Sequence, residues 1–538
     1  MTTDKKDKLL IHGFIDSANK FKDHNALDIK DTVTTYGELK VRSEKIAACI
    51  LTNTKSSQPF IAILADRSLA AYSGILGTLM AGKAYVPLNH KFPVDRTYYM
   101  VDFSSIDTFI VGPECYDHFK LLISKVNKNI TAIFPETNDF ADFKNKYPQH
   151  RFIGFEELNS FKGSNIPVDS NAGTPAYMLF TSGSTGKPKA VPISNGNVVS
   201  YIDYISSRYD FNESDKFYQV SDLTFDLSVQ DIFLCWKAGG CLCAPKDNTL
   251  AAIPRFIKEK KLTVWLFVPS ASLLFSKMRL LKPNAFPSLR YSMFCGEALP
   301  ASTAEIWQAA APGSVVINLY GPTETTVAIA HYQWNKNTQE NNCINGIVPL
   351  GKVFETQKYC IVDDNFEPVE KGTIGELCLS GSQVCRGYYH SPENDKRSFI
   401  KIPNHSENSW YRTGDRVMAD ENDCLYFFGR ADSEVKIKGY RVNLLEIDHA
   451  ISSFLNTAVV ATVALPDQAS GTNILVSFIS APDKGNEKKE ADVLNHCKEI
   501  LPHYMLPEKI IFIDEIPLNN NGKIDRNKLI KKYETLSQ

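Results

Sequence analysis

The apolar residues of this chain gather into short runs of strand length, separated by longer stretches with helical spacing. Phe60-Ile61-Ala62-Ile63-Leu64 is one such run and Thr108 to Val111 another, while Ala70 to Met80 between them is a small-residue apolar segment that stops at Gly82. Continuous apolar runs of this length read as strands buried on both faces, and strand alternating with helix predicts a mostly parallel sheet with helices on its faces. The pattern returns in Ala176 to Phe180, Val264 to Val268, Tyr291 to Phe294 and Val315 to Ile317. The last three give way to Pro269-Ser270, Cys295-Gly296-Glu297 and Asn318-Leu319-Tyr320-Gly321-Pro322-Thr323-Glu324. Ligands of open α/β sheets bind beyond the carboxyl ends of strands, so these endings are the expected site.

From about residue 346 the runs shorten and turns multiply: Tyr359 to Val362, Glu376 to Leu379, Cys424 to Phe428. That pattern predicts a small antiparallel barrel over about 346–430. A boundary is expected at Asp432, with a small α+β domain beyond it and a helix from about Leu445. The expected class is therefore α/β. A large N-terminal domain, 1–431, holds two α/β subdomains and the small β-barrel, and a small mobile α+β C-terminal domain, 432–538, follows it.

Composition narrows the function by exclusion. A net charge of -2 over 538 residues gives no basic field, so no nucleic-acid partner is expected. The twelve cysteines form no C-x-x-C pair and read as buried free thiols of a reducing compartment. The charged start Met1 to Lys8 has no signal-type core after it, and no apolar stretch is long enough to span a bilayer. A soluble cytoplasmic protein without a membrane partner is expected.

The chemistry enters with Phe180-Thr181-Ser182-Gly183-Ser184-Thr185-Gly186-Lys187-Pro188-Lys189, directly after a strand-like run. Glycines let the backbone turn sharply, and hydroxyls and N–H groups aimed into one concavity beside lysine charge suit a polyphosphate. It is not a Walker A loop: two residues rather than four separate Gly183 from Gly186, and Pro188 follows Lys187.

Nine stretches in order carry a resemblance. They are Thr35 to Leu39; Ala81 to Leu88; the glycine-rich loop; Phe225-Asp226-Leu227-Ser228-Val229; Asn318 to Glu324; Gly375-Glu376-Leu377 with Arg386-Gly387-Tyr388; Tyr411 to Asp415; Gly429 to Arg441; and Asn521 to Asp525. The chain resembles the adenylate-forming superfamily of acyl-CoA synthetases, luciferases and peptide-synthetase adenylation domains. Within it, Phe225 to Asp231, Met293 to Glu297 and Gly439-Tyr440-Arg441 look most similar to stand-alone amino-acid-activating enzymes of the D-alanine–D-alanyl carrier protein ligase type.

That resemblance implies ATP with Mg²⁺, an aminoacyl-adenylate, and transfer to a phosphopantetheine thiol on a separate carrier protein. It assigns the β- and γ-phosphates to Thr181, Ser182, Gly183, Ser184, Thr185, Gly186 and Lys189. Gly296, Glu297, Asn318, Leu319, Gly321, Pro322 and Phe427 would frame the nucleotide, with Tyr320 stacked on adenine. Asp415 would take the ribose hydroxyls, and Arg430 would lie near ribose or phosphate. Thr323 would sit at the α-phosphate and Glu324 on the metal. Lys523 would reach the substrate carboxylate and the bridging oxygen. Asp226 would pair with the substrate ammonium. The matching side-chain pocket is Leu227, Gln230, Leu266, Met293, Cys295, Leu319, Val327 and Ala328. No residue of that pocket is charged, which implies a small neutral amino acid. D-alanine leads, with L-proline, L-alanine and serine open, and an acyl- or aryl-CoA ligase is the alternative. Asp432 would be the hinge that brings the Gly439-Tyr440 region to a thiol tunnel. Lys83, Ala190, Asn443 and Leu445 depart from the family pattern.

Overall fold

The structure, a computed structural model, describes residues 8–54, 57–163, 170–183, 186–246, 249, 251–336, 342–403, 405, 409–431, 434–455, 459–467, 473–480, 490–517 and 524–536. Among these residues two large sheets dominate. The first has seven strands in the order Arg151–Ile153, Thr131–Ile133, Thr108–Val111, Phe60–Leu64, Ala84–Pro87, Pro175–Thr181, Lys189–Ser194. It is parallel except for the last pair, the hairpin that carries the glycine-rich loop at its tip. The second has nine strands, with a parallel centre formed by Val315–Tyr320, Tyr291–Phe294, Val264–Phe267, Lys216–Tyr218, Cys241–Ala244 and Asn25–Ile29.

The unbroken apolar runs have the expected cause. Along Phe60–Leu64 the side chains of Ile61 and Ile63 join the core shared with the nine-stranded sheet, while Phe60, Ala62 and Leu64 join a separate core on the opposite face. With period-2 alternation and both faces covered, every position must be apolar. The strand expected at Val315 to Ile317 runs on to Tyr320, because Asn318, Leu319 and Tyr320 pair with Tyr332, His331 and Ala330. Three residues expected as turn are thus fixed by a sheet ladder.

The region expected as a barrel is a five-stranded antiparallel sheet, Gln357–Val362, Gly375–Gly381, Trp410–Ala419, Phe399–Ile400 and Leu425–Arg430, around its own small core. After it come the hairpin Glu434–Ile437 and Tyr440–Asn443, and then a three-stranded sheet, Val460–Pro466, Asn473–Ser480 and Lys509–Ile513, with helices Leu444–Leu455, Glu490–Ile500 and Arg526–Leu536. The departing residue Asn443 has a local role, since its side chain accepts the Leu445 N–H at the start of helix Leu444–Leu455. Thr35 to Leu39 is architectural too: Thr35 and Glu38 form a reciprocal capping box on helix Tyr36–Asn53. The cysteines are free thiols. Among the described residues no helix is long and apolar enough to cross a membrane.

Candidate active site

The glycine-rich loop stands where strand Pro175–Thr181 ends and Lys189–Ser194 begins, with Thr181 opposite Lys189. Two glycines are required by geometry. A Cβ at Gly183 would lie 2.2 Å from the Lys187 carbonyl oxygen. Gly186 has φ +77°, in the left-handed region, and faces His449 of helix Leu444–Leu455. The Gly183 N–H donates to Glu446 Oε2 at 3.1 Å. The Ser182 hydroxyl donates to the Arg441 carbonyl at 2.8 Å and accepts the Asn443 N–H at 3.0 Å. The buried Thr181 hydroxyl has no hydrogen-bond partner among the described residues. Ser184 and Thr185 lie outside the described residues.

Opposite the loop is the segment after Tyr320. Thr323–Thr325 makes a single 3₁₀ turn, and Thr326 and Val327 follow at φ +62° and +66°. Two successive β-branched residues in the left-handed region are strained and need outside support. Gln383 supplies part of it, donating to the Ala328 carbonyl at 2.7 Å and accepting the Thr326 hydroxyl on its own carbonyl at 2.6 Å. The turn buries Glu324 completely. Burial opposes its charge, but Arg441, then Lys189 and the Tyr388 hydroxyl, outweigh that and hold the carboxyl at about 2. Arg441 Nη1 lies 2.8 Å from Glu324 Oε2 and Tyr388 donates to Oε1 at 2.7 Å. The residue expected on the metal is therefore ionised and paired with a guanidinium of the C-terminal hairpin. An ionised carboxylate is the kind of ligand Mg²⁺ takes alongside waters and phosphate oxygens.

Asp226 stands at the start of helix Leu227–Ala238 without capping it. Its Oδ2 accepts the Thr323 hydroxyl at 2.8 Å, which ties it to the turn that carries Glu324. Burial, reinforced by the Glu324 charge, raises its pKa to about 6 against the pull of Thr323 and Lys436. Asp226, Thr181, Ser182, Leu227, Cys295, Thr323, Lys436 and Arg441 line a central cavity of about 50 Å³.

Of the expected side-chain pocket, Leu227 and Cys295 reach this cavity. Gln230 and Met293 do not: they pack on each other behind it, with Gln230 Nε2 at 3.1 Å from Met293 Sδ and Gln230 Oε1 taking the Tyr201 hydroxyl. Leu266, Val327 and Ala328 belong to the core behind them, and Leu319 faces the neighbouring cavity. Side chains on inner strands and on a helix close on one another here, so the pocket is shallower than the residue positions alone suggest. Burial pushes the Cys295 thiol up to about 12, which suits a wall rather than a nucleophile.

The neighbouring cavity, about 70 Å³, is lined by Gly296, Glu297, Leu319, Tyr320, Gly321, Pro322, Asp415, Phe427 and Arg430. Tyr320 donates to Asp415 Oδ2 at 2.5 Å and Arg430 to Oδ1 at 2.6 Å. Glu297 accepts two backbone N–H groups, Gly439 at 2.7 Å and Ser270 at 3.0 Å, and so braces the hairpin. Asn318 is not among the lining residues; its amide donates to the Pro349 carbonyl at 2.8 Å, because the ladder through Tyr320 turns it inward. Lys523 and Asp432 lie outside the described residues.

Sequence reasoning missed several participants. Arg441 was noted only as part of a motif, yet it meets Glu324 across the chain. Arg96 and Glu446 form a buried ion pair at 2.6 Å beside the loop, and no local pattern marks two residues so far apart in sequence. Lys436 lines both cavities, with its pKa depressed by burial and by Arg441. Its place in Gly429 to Arg441 was the only available signal.

Comparison with known proteins accords with this geometry. Residues 14–389 match the AMP-binding enzyme family and residues 446–523 the AMP-binding enzyme C-terminal domain. A D-alanine–D-alanyl carrier protein ligase of Bacillus velezensis is 31% identical over 93% of this chain and 94% of its own length. Tyrocidine synthase 3 of Brevibacillus parabrevis is 29% identical over 98% of this chain, which spans 8% of that protein, and the chain spans 19% of bacitracin synthase 2 of Bacillus licheniformis. Among solved structures, the Vibrio cholerae adenylation domain AlmE, crystallised with glycyl-adenosine-5'-phosphate, is 30% identical, with TM-score 0.86 and 99% of each chain covered. The o-succinylbenzoate CoA synthetase of Bacillus subtilis, 18% identical with TM-score 0.79, shares the fold. With its glycine-rich loop, its buried acidic turn and matches along most of its length, the chain belongs to the AMP-binding enzyme family.

Proposed function

We propose that this protein activates a small neutral amino acid with ATP as the aminoacyl-adenylate, releasing pyrophosphate, and then transfers the aminoacyl group to the phosphopantetheine thiol of a separate carrier protein. The observation that carries the reading is Asp226: a buried carboxylate, tied to Thr323, at the wall of a cavity bounded by the glycine-rich loop. A buried carboxylate is costly without a cationic partner, and the ammonium of an amino acid supplies one. An acyl or aryl acid does not, which argues against a CoA ligase.

In this reading the substrate carboxylate oxygen attacks the α-phosphorus of ATP, the carboxylate–phosphorus bond forms and pyrophosphate leaves. Asp226 orients the ammonium. Thr323 sits between Asp226 and the α-phosphate. Tyr320, Asp415 and Arg430 hold the nucleoside, and the glycine-rich loop takes the β- and γ-phosphates. Glu324 would hold the Mg²⁺ of the MgATP substrate, which neutralises phosphate charge. Lys523 would stabilise charge on the substrate carboxylate and the bridging oxygen.

In the second step the thiol sulfur attacks the acyl carbon of the adenylate, a carbon–sulfur bond replaces the carbon–oxygen bond to AMP, and AMP leaves, which needs an approach for the thiol. A cavity of about 700 Å³ with Arg67, Lys91, Lys438 and His503 on its walls meets the central cavity at Phe225, Leu227 and Tyr440. That route and the docked hairpin Glu434–Ile437 and Tyr440–Asn443 support a thiol channel, with rotation about Asp432 between the steps. D-alanine is the leading substrate. Glycine is the second reading, favoured by the 50 Å³ cavity and by the glycyl-adenylate in AlmE. Amino-acid-dependent pyrophosphate exchange across glycine, the L-series and several D-amino acids tests the assignment. Exchange with D-alanine or glycine is expected; exchange with none, or only with a carboxylic acid lacking the ammonium, refutes it.

A further inference from the structure

Three buried side chains behind the central cavity are joined through one amide. Gln230 lies four residues after Asp226, on helix Leu227–Ala238, so the two share a face one turn apart. Its Nε2 lies 3.1 Å from Met293 Sδ on strand Tyr291–Phe294, and its Oε1 takes the Tyr201 hydroxyl. Tyr201 belongs to helix Asn195–Arg208 and lines neither cavity. It is completely buried, and its ring stacks on Phe354 with centroids 6.4 Å apart. Burial, then Cys295 and Asp226 of the cavity wall, raise its pKa well above the ordinary value, so the phenol stays a neutral donor.

We propose that Tyr201 is a positioning residue for substrate specificity: its hydroxyl fixes the Gln230 amide against Met293, and the pair so held closes the side-chain pocket behind Leu227 and Cys295. The inference rests on the proposed amino-acid activation and adds what limits the substrate's side chain. A thioether is a weak acceptor, so the Met293 contact alone holds the amide loosely. The phenol hydroxyl supplies the stronger contact and sets its direction. With the amide turned over, its carbonyl oxygen would face the sulfur, acceptor against acceptor. Without the hydroxyl, the same carbonyl is buried and unpaired, which costs more than the bond itself contributes. The amide is then driven off the sulfur and toward the cavity one helical turn away, where a substrate hydroxyl can pair with it. Holding the amide back favours a side chain of hydrogen or methyl over a hydroxymethyl group. The chain thus discriminates by withholding a polar group that lies within reach of its cavity.

Tyr201→Phe removes the hydroxyl and keeps the ring on Phe354. In pyrophosphate exchange, kcat/KM for serine of either hand, relative to the preferred small amino acid, should rise roughly tenfold, the scale of one net hydrogen bond. Helix Asn195–Arg208 follows directly on strand Lys189–Ser194 of the loop hairpin, so a general loosening of the helix would raise the MgATP KM, which should instead stay unchanged. Gln230→Leu leaves a wall of similar volume without an amide. By itself it should not raise the serine ratio, and adding Tyr201→Phe to it should leave the ratio unmoved, because Tyr201 acts through Gln230. An unchanged ratio in Tyr201→Phe overturns the inference while leaving adenylation intact. So does a ratio raised as much by Gln230→Leu alone, an equal shift by Tyr201→Phe in the Gln230→Leu background, or a wild type that already prefers serine. A wild-type protein that exchanges pyrophosphate with no amino acid instead overturns the functional reading beneath it.

Discussion

Asp226→Asn tests both the energetics and the function of the site in one substitution. The carboxyl is 7% exposed, and burial raises its pKa from 3.8 to about 6. Below pH 3.8 the folded and unfolded chains both hold the proton. Between 3.8 and 6 the folded chain keeps a proton that the unfolded chain has lost, and above 6 the folded chain carries a buried charge. The stability available at low pH is thus lost as pH rises through about 6. At about 1.4 kcal/mol per pH unit, the full cost at pH 8 is ~3 kcal/mol. Asparagine keeps the acceptor for Thr323 and removes the charge, while its amide lacks a partner, a penalty of about 1–2 kcal/mol. Asp226→Asn should therefore be more stable than the wild type by about 1–2 kcal/mol at pH 8, and that advantage should shrink by about 1 kcal/mol at pH 5. Activity should move the other way. Losing the partner of a buried ammonium costs about 3–5 kcal/mol, so kcat/KM for the amino acid should fall by two to nearly four orders of magnitude, roughly 10²- to 4 × 10³-fold, with ATP binding retained. In the wild type, the amino-acid KM should rise as pH falls through about 6, since a protonated Asp226 no longer pairs with the substrate. Differential scanning fluorimetry at both pH values and pyrophosphate exchange across pH are the assays. A variant as active as the wild type, or equally stabilised at pH 5 and pH 8, refutes the assignment.

Lys523→Ala should lower adenylate formation by roughly 10²-fold or more, as expected for one transition-state charge contact, and exchange at the wild-type rate would remove that role. Met293→Ala should deepen the side-chain pocket, shifting the kcat/KM ratio of a larger neutral amino acid to the preferred one by roughly tenfold or more, with a stability loss of about 2–5 kcal/mol. A stability loss with an unchanged ratio would show that Met293 is only core. Gly186→Ala forces a side chain into φ +77° against His449, so denaturation should register about 1–2 kcal/mol of destabilisation and the MgATP KM should rise.

The local sequence was sufficient for everything decided by neighbours along the chain. Apolar runs buried on both faces announced the parallel sheets, and the glycines of the Gly183–Gly186 loop announced a tight turn, but not that the Gly183 N–H would be taken up by Glu446. Asp226 and Glu324 stood out because their motifs are contiguous. Only the tertiary structure determined which groups answer those motifs. Asn318 turns inward because a sheet ladder continues to Tyr320, and Gln230 and Met293 retreat behind the cavity because helix and strand bring them together. Arg441 reaches Glu324 across 117 residues, and Arg96 reaches Glu446 across 350. Charge pairing and packing are fixed by distance in space, and a one-dimensional pattern holds no record of which distant segments the fold will bring face to face.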